Sequence, residues 1–197
     1  MIKSNSILLF ILFAFALIGQ DTTDPNATIL LDKMTKDLDA AEKIKIEFDM
    51  DIEYPGMSED TQEGVFYQNK ERFKLDIKQQ TIINDGEALY MVIPSLNSIQ
   101  INAASSLEEQ GAINPKSMFS IYKTGAFIYG IVGEENMNGE RLTMVEFKPK
   151  DKYSDYSKVR IGVTKDENPK YLKIFNKDGS RITIHVKNIE LNPQIDA

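Results

Sequence analysis

Period-two alternation of apolar and polar residues dominates the chain. Between residues 43 and 54, Ile44, Ile46, Phe48, Met50, Ile52 and Tyr54 alternate with Lys43, Lys45, Glu47, Asp49, Asp51 and Glu53. That pattern predicts a long strand with one dry face and one wet face. Residues 64–67 and 72–77 predict a hairpin, with Phe73, Leu75 and Ile77 on the dry side. Residues 81–101 predict a three-stranded meander. Its turns fall at Asn84-Asp85-Gly86, where Gly tolerates positive φ, and at Pro94-Ser95-Leu96-Asn97, where Pro cannot continue a paired strand. The middle run carries Leu89, Met91 and Ile93 on one face and Ala88, Tyr90 and Val92 on the other. Apolarity on both faces predicts cover on both, which puts the meander in the middle of a larger antiparallel sheet. Strands resume at 126–132, 141–147, 159–164, 170–175 and 181–186, separated by turn signals such as Asn138-Gly139 and Lys177-Asp178-Gly179.

Two stretches break this rhythm. Thr23-Asp24-Pro25 is a helix start, a capping side chain followed by a Pro whose missing N–H costs nothing there. Leu31, Met34, Leu38 and Ala41 then recur at helical spacing, so residues 25–41 form an amphipathic helix whose apolar stripe needs the sheet as partner. Between residues 102 and 124 the strand signal stops. Residues 105–110 suit a helical turn, and Asn114-Pro115-Lys116-Ser117 leads into Met118, Phe119, Ile121 and Tyr122. This segment reads either as a short apolar helix covering the sheet or as a long crossover loop with ordinary core anchors. The expected fold is therefore mainly β with α: about ten or eleven antiparallel strands, one long N-terminal helix and a short internal one.

The first residues read as an address. Ile7 to Ile18 is an unbroken apolar run of twelve, preceded by the single charge Lys3, which suits an export signal and is short for a relaxed transmembrane helix. Residues 1–19 are expected to be removed, leaving 20–197 as one domain in the periplasm. The chain has no Cys, so burial and hydrogen bonds rather than disulfides must hold the exported fold. Without Lys3 the count is 22 basic against 30 acidic residues, and such a surface repels phosphate backbones; nucleic acid is not expected as a partner.

Catalytic signals are scarce. The carboxylates Asp49, Asp51 and Glu53 share the wet face of a strand with Lys neighbours and read as a solvated face rather than an acid pair or metal site. His185, the only histidine, alternates with Ile184 and Val186 and reads as a surface imidazole without a carboxylate nearby in sequence. One His and no Cys leave no structural zinc site to build, and no phosphate-binding or dinucleotide motif is present. No metal, cofactor or enzymatic activity is expected. Methionine is frequent, and its adaptable thioether suits either a pocket for aliphatic ligands or a plain core.

In order along the chain, the helix, the strand Ile44-Lys45-Ile46-Glu47-Phe48, the hairpin with Gly64 and Phe73, and the block Ile83-Asn84-Asp85-Gly86-Glu87-Ala88-Leu89-Tyr90 resemble the periplasmic outer-membrane lipoprotein carriers (LolA-like). The last block is similar to that family's S-D-G-x-x-x-(W/Y) signature, with Asn84 for Ser, and Asn114-Pro115 before Met118-Phe119 resembles its inserted lid helix. The resemblance implies an incomplete β-barrel closed by helices around a hydrophobic cavity for lipoprotein acyl chains. It implies loading from an inner-membrane lipoprotein-releasing ABC transporter and delivery to an outer-membrane acceptor, by a monomer. Cavity positions are then Ile46, Phe48, Met50, Phe73, Leu75, Met91, Met118, Phe119 and Tyr122. Many members carry an Arg six residues after the hairpin Gly that latches the lid; here that position is Lys70, which lacks Arg's fork. The chain ends at Asn192-Pro193-Gln194-Ile195-Asp196-Ala197, without the Phe-containing tail of relatives, which leaves a C-terminal strand in doubt. The competing readings are a lipid- or lipoprotein-sensing envelope protein of the same fold, a carboxylate-dependent envelope enzyme and a structural β-protein with a filled core.

Overall fold

A computed structural model describes residues 23–103 and 115–194. The expected export signal, the turn at 105–110 and Asn114 lie outside the described residues. Asp24 caps α1 (Pro25–Ala40) by accepting from the Asn26 N–H at 2.8 Å, with Pro25 in the first turn. The predicted stripe is the buried one: Leu31, Met34, Leu38 and Ala41 all face the core, joined by Ala27 and Thr35.

Eleven strands follow: β1 (Lys43–Glu53), β2 (Asp60–Asn69), β3 (Arg72–Ile77), β4 (Gln80–Asn84), β5 (Ala88–Ile93), β6 (Ser98–Ala103), then, after α2 (Pro115–Phe119) and a 3-10 turn (Ile121–Thr124), β7 (Phe127–Met137), β8 (Glu140–Pro149), β9 (Tyr156–Thr164), β10 (Pro169–Asn176) and β11 (Arg181–Leu191). They form one antiparallel sheet in the order β6-β5-β4-β3-β2-β1-β11-β10-β9-β8-β7. Every neighbour is also a neighbour in sequence except β1 and β11, which join the two meanders. The sheet is open, with β6 and β7 as its edges. One continuous hydrophobic cluster draws on β1–β5, β7–β11, α1, α2 and the 3-10 turn, so the sheet must curl far enough for both wings to meet under the helices. The result is a half-open barrel.

Three expectations need correction. The meander β4-β5-β6 is one wing of the sheet, not its middle, and β6 is an edge with Ile99 and Ile101 mostly exposed. Tyr90 and Val92 are only half-buried, shielded by neighbouring strands rather than by a second layer. β7 does not stop at Val132: a bulge between Ile131 and Gly133 absorbs the break in alternation and the strand runs on to Met137. β11 likewise runs past Val186 to Leu191, pairing with β1 along its length, and Asn192 ties its end down by accepting from the Glu42 and Lys43 N–H groups at 3.0 and 3.2 Å. Residues 192–194 of the tail form no strand, and 195–197 lie outside the described residues.

The convex face of β1, β11 and β10 is a lattice of ion pairs. Lys187 meets Asp49 at 2.6 Å and Glu63 at 3.0 Å, and Lys173 meets Glu53 at 2.8 Å. The carboxylates of β1 are thus a paired, solvated face. His185 does have a carboxylate partner: its Nε2 lies 3.3 Å from Asp51 Oδ2, supplied by the neighbouring strand and so invisible to local reading. One apolar island interrupts this face, where Leu142, Met144 and Tyr171 close over Gly162. Burial there pushes the Tyr171 hydroxyl up to about 12.

Candidate functional site: the covered concave face

Cross-strand pairing assembles the concave face in rows. Residues directly opposite each other share a face, so the register alone puts Ile46, Phe66, Leu75, Ile82 and Met91 side by side across five strands. A second row runs through Ile44, Gln68, Phe73, Asn84 and Leu89. Phe48 lies between Gly64 on β2 and Val186 on β11. Its ring occupies the space a side chain at 64 would need: a Cβ there would stand 2.3 Å from Phe48 Cζ. The hairpin glycine thus gives an aromatic ring its seat.

The nine expected cavity positions come together. Ile46, Phe48, Met50, Phe73, Leu75, Phe119 and Tyr122 are buried members of one cluster, and Met91 and Met118 pack against it half-buried. Reading by sequence missed Phe66, Ile82 and Leu89 in the same rows, and Tyr129 and Phe147 on the other wing. Phe66 shares its face with Gln62, Gly64 and Gln68 while Val65 and Tyr67 stand on the other, so alternation along β2 does not mark it and only the register with Ile46 and Leu75 does. Tyr129 and Phe147 were not marked either, since only the pairing of β7 with β8 sets their rings 5.2 Å apart.

Polar atoms on this face are few. Asn84 faces inward and its Oδ1 accepts from the Gly86 N–H at 2.8 Å, while Asp85 Oδ1 accepts from the Glu87 and Ala88 N–H groups. Those bonds hold the Asp85 carboxyl below its usual range, and the carboxylate raises the Tyr90 phenol beside it. The Asn-Asp-Gly block is therefore a turn device, with Gly86 at φ 96°. Gln62 Oε1 and Gln68 Oε1 are buried acceptors with no hydrogen-bond partner among the described residues.

The cover is made of α1, α2 and the 3-10 turn. Phe119 is fully buried, and Ile121 and Tyr122 nearly so. Tyr122 bonds the two helical pieces together. Its hydroxyl donates to Asp32 Oδ1 at 2.7 Å and pairs with Thr35 Oγ1 at 2.9 Å, both on α1. Burial is the largest cause of its raised pKa. Next to it, Lys123 is ion-paired with Asp39, which raises the amine. The cover is in turn pinned to β7: the Asp24 N–H donates to the Tyr129 carbonyl at 2.9 Å, and Thr28 Oγ1 pairs with the Tyr129 hydroxyl at 3.1 Å. Tyr129 also meets Tyr122 edge-on at 6.0 Å.

Lys70 stands at the exposed tip of the β2–β3 hairpin, in left-handed backbone at φ 56°. Its main chain is engaged, donating to the Glu42 carbonyl at 3.0 Å and accepting from Gln68 Nε2 at 2.7 Å. Side-chain bonds that hold the cover come from Thr28, Tyr122 and Lys123, of which sequence reading assigned Tyr122 to the lining and the other two to nothing.

Comparison with known proteins agrees with this architecture. The sequence model of the family described as outer membrane lipoprotein carrier protein LolA matches residues 39–197. No curated protein matches the sequence. Among solved structures, an uncharacterized conserved protein from Thermus thermophilus superposes with a TM-score of 0.55 at 8% identity, covering 86% of this chain and 90% of that one. LprF from Mycobacterium bovis gives 0.50 at 9%, covering 88% and 97%. A LolA superfamily protein from Nitrosomonas europaea gives 0.43 at 14%, covering 86% and 94%. For the Thermus protein and LprF the likeness is one of fold.

Proposed function

The chain belongs to the outer membrane lipoprotein carrier protein (LolA) family, and from that membership we propose that it is a periplasmic carrier of lipoproteins. It takes their acyl chains onto its concave face and moves them from the inner to the outer membrane. The observation that carries this reading is the combination of a broad apolar face with a helical cover pinned along one side. Covalent bonds would not be needed to hold such cargo. Burying an acyl chain is worth ~0.8 kcal/mol per CH₂, on the order of 10 kcal/mol for a long one before costs. In the closed state the lining residues are shielded from water by α1, α2 and the 3-10 turn. Cargo therefore displaces the cover, and the pins on β7 direct the opening towards β3–β6, where Leu75, Ile82 and Met91 form the floor. Cargo favours the open form by the contacts it makes only there. An inner-membrane transporter that loads and an outer-membrane acceptor that unloads would supply the direction.

A fluorescent fatty acid tests this. The protein is expected to bind it, to release it in competition with a diacylated lipopeptide, and to lose at least tenfold in affinity on Met91→Asp, a half-buried position on the floor. Mass spectrometry of the protein purified from an envelope is expected to find lipoproteins with it. A folded Met91→Asp variant that binds the probe as before, or a lipopeptide that does not compete, would sink the proposal.

A further inference from the structure

An amide stands at the end of one apolar row of the concave face. Gln62 on β2 lies directly opposite Met50, and the register continues through Ile184, Leu172, Ile161 and Val145. Those five are buried members of the core, so the row is hydrocarbon across five strands before it meets Gln62. Gln62 is itself only 5% exposed.

Its orientation is fixed from outside the row. Nε2 donates to Asp60 Oδ2 at 2.7 Å, and an ionised carboxylate only accepts, so the amide cannot turn its oxygen to that side. Oε1 is thereby held away from Asp60, a buried acceptor with no partner among the described residues. Gln68 is built alike, with Nε2 on the Lys70 carbonyl, but it is half-buried beside the exposed hairpin tip. Leaving an acceptor buried and bare costs more than a made hydrogen bond gains. An acyl chain laid over this row strips water from Oε1, so the ligand itself must bring the donor.

We propose that Gln62 is a specificity-determining residue, accepting the N–H of an amide at the head of an acyl chain, so that N-acylated lipids are preferred to esters of the same length. The inference rests on the carrier reading, which brings acyl chains to this face. Gln62 lies four residues from Phe66 on the same face of β2, about 13 Å along the strand. That is close to the ~15 Å spanned by the chains of one bilayer leaflet. A head at Gln62 thus lets its chain reach the floor row of Phe66, Leu75, Ile82 and Met91. An ester in the same place presents only acceptors and sets lone pair against lone pair. A site with a buried hydrogen-bonding group discriminates against the analogue that leaves it unpaired. Asp60 acts through Gln62 as a positioning residue.

Competition for the fluorescent fatty acid is the test, with three ligands that share one hydrocarbon chain. N-methylpalmitamide has one N–H, whereas methyl palmitate and N,N-dimethylpalmitamide have none. On the wild type the first is expected to displace the probe at roughly five- to tenfold lower concentration than the other two, the worth of one hydrogen bond. Gln62→Met should bring that ratio to about one, whereas Gln68→Met should keep it. Asp60→Ala, at an exposed position, frees the amide to turn and should shrink the ratio. Equal displacement by all three ligands on the wild type overturns the inference and leaves the carrier reading standing. A ratio that survives Gln62→Met, or is lost with Gln68→Met instead, overturns it as well. If the probe does not bind, or none of the three displaces it, the carrier reading fails and this inference with it. If Gln62→Met does not fold, the wild-type ratio and its response to Asp60→Ala decide.

Discussion

The two wings on either side of the β1–β11 seam contribute to one core in different ways. The β7–β10 wing is locked to the cover. Tyr129 packs against Phe147 at 5.2 Å and Tyr122 at 6.0 Å, Phe127 meets Phe147 edge-on, and the hydrogen bonds from Asp24 and Thr28 end on Tyr129. The β2–β6 wing meets the interior through side chains that need only be apolar: Phe66, Leu75, Ile82 and Leu89. It also brings in Gln62 and Gln68, each with a buried oxygen that has no partner among the described residues. A directional bond is lost outright when its partner moves, whereas apolar contact is exchangeable for contact with another apolar body. On the proposed carrier reading the difference sets where the molecule would open: the cover would stay with β7 and leave β3–β6.

The largest effects should come from truncating the two wings in parallel. Phe147→Ala removes a ring from the locked wing and is expected to cost about 3–5 kcal/mol. Leu89→Ala, equally buried, should fall near the low end of about 2–5 kcal/mol, because a looser wing collapses onto the gap. Urea unfolding measures both, and a Leu89→Ala loss matching that of Phe147→Ala would erase the distinction between the wings. Gly64→Ala probes the seam itself. Its Cβ collides with the Phe48 ring, so the ring must leave its rotamer, at about 1–3 kcal/mol. Relocating Phe48 also disturbs the floor, so the same variant should bind the fatty-acid probe more weakly; unchanged binding would separate Phe48 from the site.

Tyr122→Phe acts on the lock. It keeps the ring and deletes the hydroxyl, leaving Thr35, which is wholly buried, without its Tyr122 bond and Asp32 without its donor. A loss of about 1–2 kcal/mol is expected. Hydrogen exchange should rise across α1 and residues 115–124 while β1 and β11 stay protected, and the probe should enter faster. If Lys70→Leu speeds probe entry and Tyr122→Phe does not, the latch lies at the hairpin tip after all.

How much of this was legible depends on whether a feature is local. β1 could be read residue by residue because strict alternation is the direct image of one buried face. α1 could be read because Asp24-Pro25 and the stripe from Leu31 to Ala41 are both local signals. The nine lining positions followed from the same alternation plus resemblance. Strand position in the sheet is not a local property: Tyr90 and Val92 are apolar because they neighbour Ile101 and Ile99, and no period distinguishes that from a covered central strand. Likewise Gly133-Glu134-Glu135 looks like the end of a strand until β8 supplies the partner that makes it a bulge. The pairing of His185 with Asp51 and the bonds of Tyr122 to α1 join residues far apart in sequence. Only the folded chain brings them together.

The smallest effect belongs to the convex face and serves as a control on the comparison. Glu146 on β8 is held by Arg160 at 2.9 Å and Lys158 at 3.1 Å. Burial works to raise its pKa, but the two cations outweigh it and keep the carboxyl below its usual range. A carboxyl whose folded pKa is depressed binds its proton more weakly than in the unfolded chain. Its contribution to stability is therefore complete above the unfolded value of about 4.3 and is lost as pH falls through the folded one. Glu146→Gln removes the titration. It should cost on the order of 1 kcal/mol at neutral pH, since the surface part of such a pair is worth little and the side chain here is mostly shielded. The gap between the two proteins should close as the pH is lowered below about 4, where wild-type Glu146 becomes protonated and resembles Gln. Urea midpoints at neutral and acid pH measure it. Because Glu146 faces away from the cover, probe entry and affinity should be the same in both proteins. A pH-independent gap would mean that Gln fails to repack between Lys158 and Arg160 rather than that a charge was lost, and altered probe entry would mean that the convex face is coupled to the cover through β8 and β7.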